Sequence, residues 1–133
     1  MKRNILLATL LILVCAGTLL AARQHGYRVT KRIAFKKGQV ATVVKGAIPN
    51  TLEGHEYVLR GRQGQTLTIR LSSTKKDINF KIWAPSGEMV GEETSVRRWS
   101  GELAETGDYR IVINTESDGV ARYSLEVQIA SDI

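Results

Sequence analysis

Cysteine is nearly absent from this chain. Cys15 is the only one, and it lies inside an apolar run, so no intramolecular disulfide can form. Val14 before it is a poor fit to a lipid-attachment signal, and a small apolar residue in a membrane segment is the simpler reading of Cys15. Proline is scarce too, with only Pro49 and Pro85, and aromatic residues amount to 6%. After residue 23 no stretch carries a sustained helical period, which argues against an α-helical domain. A nucleophile constellation is missing as well: there is no Gly-x-Ser-x-Gly turn, and no cysteine after Cys15. Two isolated histidines, His25 and His55, lack the cysteine or histidine partners of a zinc site. Glu92, Glu93 and Asp77 carry carboxylates without the spacing of a calcium loop. The expectation is a protein that is not an enzyme, without cofactor or metal.

Charge of one sign never forms a block. The chain has 19 Lys and Arg against 13 Asp and Glu, a net of +6. Without Lys2 and Arg3 the balance is 17 against 13, or +4. Eight of those 17 fall in pairs, Lys31–Arg32, Lys36–Lys37, Lys75–Lys76 and Arg97–Arg98, and the rest stand singly. Scattered pairs fit a solvated sheet face, not a nucleic-acid stripe.

One long hydrophobic run is present. Lys2 and Arg3 precede an apolar stretch from Ile5 to Ala22. A cationic start before an apolar run is the pattern of an export signal, with the positive residues staying on the cytoplasmic side. The stretch is 18 residues long, near the lower end of the roughly 17–25 that span a bilayer. Residues 1–22 therefore read either as a cleaved signal peptide or as an inner-membrane anchor. Residues 23–133 form one domain outside the cytoplasm, periplasmic or extracellular, with a tether through residues 5–22 if the segment is retained. A domain of that size buries about two-thirds of its unfolded surface.

The remainder alternates. Leu67, Ile69 and Leu71 share one face, as do Ile78, Phe80 and Ile82. Ala121, Tyr123, Leu125, Val127 and Ile129 share another, with Arg122, Ser124, Glu126 and Gln128 opposite. Trp99, Gly101 and Leu103, then Tyr109, Ile111 and Ile113, flank a Glu–Thr–Gly–Asp turn and predict a β-hairpin over 98–113. Tyr27, Val29, Ile33 and Phe35 predict a first strand, and His55 falls beside the Pro49–Gly54 loop. About eight short strands, with turns every 8–12 residues, predict an all-β, antiparallel, jelly-roll-like β-sandwich behind the apolar segment.

Some motifs go further. Tyr57–Arg60, Gly64–Ile69, Phe80–Gly87, Trp99–Gly101, Gly107–Ile111 and Tyr123–Leu125 resemble the bacterial pre-peptidase C-terminal (PPC) domain, a sandwich found on secreted hydrolases. Phe35–Gly38, Ala41, Gly46, Ile48 and Gly64–Gln65 look like the periplasmic inhibitors of goose-type lysozyme, which share that fold and stand alone behind a signal peptide. The resemblance covers about residues 30–130. It implies a cell-envelope binding protein with goose-type lysozyme as partner. In that family the loop before the last strand is longer and basic; here Asn114–Gly119 is short and carries Glu116 and Asp118, so no inhibitory residue is carried over.

Three residues are candidates for partner binding. Trp83 falls on the face opposite Phe80 and Ile82, so it points outward, where an indole can stack on a sugar or anchor in a partner's pocket; covering an open end of the sandwich beside Pro85 is the structural alternative. Arg97 and Arg98 can bind carboxylates bidentately or pair with Glu92 and Glu93. Two functions stay open: a protein-binding inhibitor, and a free-standing carbohydrate- or peptidoglycan-binding module of the envelope with Trp83 as its platform.

Overall fold

A computed structural model describes residues 26–91 and 97–131. The apolar segment, Cys15, His25, Glu92 and Glu93 lie outside those residues. The described residues form nine strands: β1 (Tyr27–Arg32), β2 (Ala41–Ile48), β3 (Glu53–Gly61), β4 (Gln65–Ser73), β5 (Ile78–Trp83), β6 (Met89–Val90), β7 (Arg98–Glu102), β8 (Gly107–Thr115) and β9 (Ala121–Ser131). Two sheets result, β1-β3-β8-β5-β6 and β2-β9-β4-β7.

The alternation places the core. Inward residues of both sheets meet in one cluster that includes Leu67, Ile69, Phe80, Ile82, Tyr109, Ile111, Leu125 and Val127. Leu67, Ile69, Phe80, Ile111, Leu125 and Val127 are fully shielded from solvent. Each such side chain contributes about 1.5–3 kcal/mol of burial free energy. The last strand follows its sequence pattern closely, with Ala121, Tyr123, Leu125, Val127 and Ile129 all buried. Trp99 is partly buried and packs against the cluster.

Pairing departs from the sequence expectation in two places. Every pair is antiparallel except β1 with β3, which is parallel, Tyr27 standing beside Glu53 and Arg32 beside Val58. The chain passes through the other sheet as β2 between them, so the two strands return in the same direction. As an edge strand β1 is exposed throughout, and Tyr27 and Val29 face solvent while Ile33, just beyond it, is buried.

The predicted hairpin over 98–113 does not form. β7 pairs with β4 in one sheet, whereas β8 lies between β3 and β5 in the other. Both alternations are real, but they belong to different layers. Leu103 extends the β4 edge through Gly64 and Gln65, its carbonyl accepting from Gly64 N–H at 2.9 Å and its N–H donating to Gln65 at 2.8 Å. The chain then crosses over. The Tyr109 hydroxyl donates to the Glu105 carbonyl at 2.7 Å and accepts from the Glu105 N–H at 3.1 Å, pinning the crossing as a tyrosine corner. Gly107 enters β8 at φ 148° with Pro85 packed where a Cβ would point, 2.8 Å away. Among the described residues only β5 and β6 form a hairpin, through Pro85–Gly87.

Candidate functional site

The outer face of the first sheet carries the clearest concentration of chemistry. Arg32, Val58, Arg110 and Trp83 line up across β1, β3, β8 and β5. The next row holds Thr30, Glu56, Val112 and Lys81, and Arg60 stands opposite Asp108 on the other side. Arg28, Glu56, Arg60, Trp83, Asp108 and Arg110, with the Pro85–Gly87 turn as a wall, surround a cleft of about 640 Å³.

Glu56 is the floor of this cleft. It points away from the apolar core yet is only 5% exposed. Its Oε2 accepts from the Thr30 hydroxyl at 3.0 Å. Its Oε1 has no hydrogen-bond partner among the described residues. Guanidinium nitrogens of Arg28 and Arg110 stand 3.8 and 3.6 Å from that oxygen. Those separations give charge attraction without a formed hydrogen bond.

A second ion pair closes one end. Arg32 grips Asp108 through two nitrogens, at 3.2 and 2.6 Å. Hydrogen bonding from Arg32 holds the Asp108 carboxyl below its ordinary value, with the nearby charges of Arg32, Arg60 and Arg110 adding to the effect. The same pair raises the Arg32 guanidinium.

Trp83 is half-buried in the outward row, beside Arg110. Arg97 and Arg98 stand elsewhere, at the edge of the second sheet. Arg98 is exposed and directly opposite Arg70, while Arg97 donates to the Ser73 carbonyl at 3.1 Å. The fold thus separates Trp83 from Arg97 and Arg98, and gives it Arg28, Arg60 and Arg110 as neighbours instead. Sequence reading passed over these three because each looks like an isolated surface charge; only strand register collects them.

The same is true of His55. It is not beside a loop but on β3, its Nδ1 2.6 Å from the Tyr123 hydroxyl and its Nε2 2.9 Å from Glu53. Tyr123 also shares a 2.6 Å hydrogen bond with the Tyr57 hydroxyl. Glu53, His55 and Tyr57 alternate along one strand, so their spacing already placed them on one face. Burial, reinforced by Tyr57, pushes the Tyr123 phenol far above its ordinary range, so it stays protonated. With Tyr123 only 4% exposed, this polar chain locks one end of the sandwich and offers no open nucleophile.

Asp77 also has a structural task. Its carboxylate accepts from the Ser117 hydroxyl at 2.8 Å and its carbonyl from the Glu116 N–H at 3.2 Å, tying down the loop before β9. Among the described residues there is no group of three or more His, Cys, Asp or Glu that could hold a metal ion.

The topology defines the class as a PPC-like β-sandwich. No protein-family model matches the chain, and no curated protein matches its sequence. Solved structures do match. PliG of Aeromonas hydrophila, a periplasmic inhibitor of g-type lysozyme, is 24% identical with a TM-score of 0.68, covering 77% of this chain and 96% of that one. PliG of Salmonella Typhimurium, also a periplasmic inhibitor of g-type lysozyme, is 19% identical with a TM-score of 0.58, covering 75% and 96%. The pre-peptidase C-terminal domain of a Bacillus anthracis collagenase is 14% identical with a TM-score of 0.60, covering 79% and 100%. The fold resembled in the sequence is therefore the fold observed.

Proposed function

We propose that this chain is an exported, non-catalytic protein-binding module that inhibits goose-type lysozyme. The observation that carries the reading is the fit of one sandwich to nearly the whole of two PliG inhibitors, 96% of each. A fold match alone does not transfer function, so the surface must supply a means of binding. Arg98 on the edge strand faces Arg70 directly. Like charges directly opposite each other destabilise a strand pair. A partner presenting carboxylates turns that cost into attraction, and glycosidases work with acidic side chains at their cleft. Arg97 and Arg98 are the residues assigned to this contact.

The test is lysis of peptidoglycan by a goose-type lysozyme in the presence of stoichiometric amounts of the chain. Loss of lysis, with no hydrolysis by the chain itself, supports the reading. Undiminished lysis at an excess of the chain overturns it.

Export belongs to the same proposal. The cationic start and the apolar run 5–22 place the sandwich in the periplasm or beyond. N-terminal sequencing of the protein isolated from cells decides its processing. A start at Arg23 marks a cleaved signal, and an intact Met1 in the membrane fraction marks an anchor. Full-length chain in the soluble cytoplasm rules out both.

A further inference from the structure

We propose that the cleft on the outer face of the first sheet is a binding site for an acidic saccharide, with Trp83 as the stacking platform and Arg28, Arg60 and Arg110 as the carboxylate readers. The proposal is independent of lysozyme inhibition, which was assigned to the other sheet.

Three observations carry it. First, the cleft combines an aromatic face with cations. Trp83 is half-buried, so one part of the indole is fixed by packing while another stays open to the cleft. An aromatic ring held this way takes the apolar face of a sugar ring at little entropic cost. A volume of about 640 Å³ falls within the usual range of small-ligand sites.

Second, the arginines are held but not used up. Arg28 and Arg110 are 52% and 60% exposed, and they approach Glu56 only to 3.8 and 3.6 Å. Among the described residues no side-chain hydrogen bond engages Arg28, Arg60 or Arg110. Arg32, by contrast, is taken up by Asp108. The cleft thus lines up three guanidinium groups against the carboxylates of Glu56 and Asp108, and Arg32 offsets the second of these. Guanidinium forks match carboxylates bidentately.

Third, Glu56 is a buried carboxylate with an orphan oxygen at the floor of the cleft. An unsatisfied buried acceptor is costly. That oxygen is itself shielded from solvent and is met by charge alone, so Glu56 holds Arg28 and Arg110 in the cleft while their exposed guanidinium groups stay open to a ligand's carboxylate. A bare anion lacks the ring face that Trp83 would stack on, and a neutral sugar lacks the carboxylate, so the site discriminates against both.

The experiment is isothermal titration of the protein as isolated, with an oligosaccharide of uronic acids, a neutral oligosaccharide of the same length, acetate, and an oligoglutamate of equal charge. The expected result is binding of the uronic oligosaccharide at least about tenfold tighter than each of the other three. Trp83→Ala weakens that binding about tenfold or more, and Trp83→Phe, which keeps a ring, recovers part of it. Arg60→Ala removes preference for the acidic over the neutral sugar; Arg60 is exposed, so this variant carries the test if Trp83→Ala does not fold. Thermal melts establish which variants fold. Absence of binding to the uronic oligosaccharide overturns the proposal. So does equal binding of the neutral sugar, or unchanged affinity in folded Trp83→Ala and Arg60→Ala. Equal or tighter binding of oligoglutamate also overturns it, marking a patch for acidic protein segments.

Discussion

The Tyr109 hydroxyl closes a ring with the backbone of Glu105, donating to its carbonyl at 2.7 Å and accepting from its N–H at 3.1 Å. The ring fixes the turn from β7 in one sheet to β8 in the other. Tyr109 itself is buried, and that burial raises its phenol above the ordinary value. Tyr109→Phe keeps the ring and removes both hydrogen bonds, leaving two backbone groups to find water. A loss of about 1–3 kcal/mol is expected in urea unfolding, with the far-UV spectrum unchanged. A variant as stable as the parent would show that packing alone makes the corner.

Gly46 and Tyr123 are coupled by space. A Cβ at position 46 would fall on the Tyr123 hydroxyl and 2.6 Å from the ring carbon bearing it. Gly46→Ala therefore displaces the hydroxyl that His55 and Tyr57 share. The expected cost is roughly 1–3 kcal/mol, as for other overpacked sites. Tyr123→Phe in the Gly46→Ala background should recover part of it, because the clashing oxygen is gone. Thermal melts of the two variants check this.

Acid should weaken the first sheet's outer edge through Asp108. Its carboxyl is held below the ordinary value in the fold, mainly by hydrogen bonding from Arg32. A depressed carboxyl contributes stability above its unfolded value and loses it as pH falls through the folded one. The melting temperatures of the parent and Asp108→Asn should differ by a constant amount above about pH 5 and converge below about pH 3. High salt should narrow the gap, since the pair is exposed. A gap independent of pH would remove Arg32 as its cause.

If the second sheet's edge meets lysozyme, Arg98→Ala should weaken inhibition while leaving stability unchanged or slightly raised, because Arg70 loses a like-charged neighbour. A shift of the inhibition curve by about tenfold is the size expected for an exposed arginine that contacts a carboxylate. Trp83→Ala should leave the same curve in place. Loss of inhibition in Trp83→Ala alone would move the contact to the other sheet.

The pattern of side chains along each strand was legible from the residues because the two-residue period is a local property of extended backbone. Leu125 and Val127, Phe80 and Ile82 needed nothing more to be assigned inward. Trp83 was assigned outward on the same ground, and it stands outward in the fold. His55 reads as a loop neighbour because Pro49 and Gly54 punctuate the sequence beside it, whereas β3 begins at Glu53 and carries both polar residues.

Pairing was another matter. The 98–113 segment has the alternation and the turn residues of a hairpin, yet Glu105 and Tyr109 use the turn to change layers. Nothing local distinguishes a turn that doubles back within a sheet from one that crosses to its neighbour. The choice depends on where β4 and β3 offer free edges, and the partners on those edges lie 28 or more residues away along the chain. The cleft follows from that choice. Arg28, Arg60, Trp83 and Arg110 are four separate residues on four strands until register brings them together. By itself the sequence determined the class of fold, the faces of the strands and the apolar start, all of which rest on short-range periodicity and hydrophobicity. Only the tertiary structure decided which strands are neighbours and therefore which charges surround Trp83, because hydrogen-bonded pairing between distant segments is a property of the whole sheet.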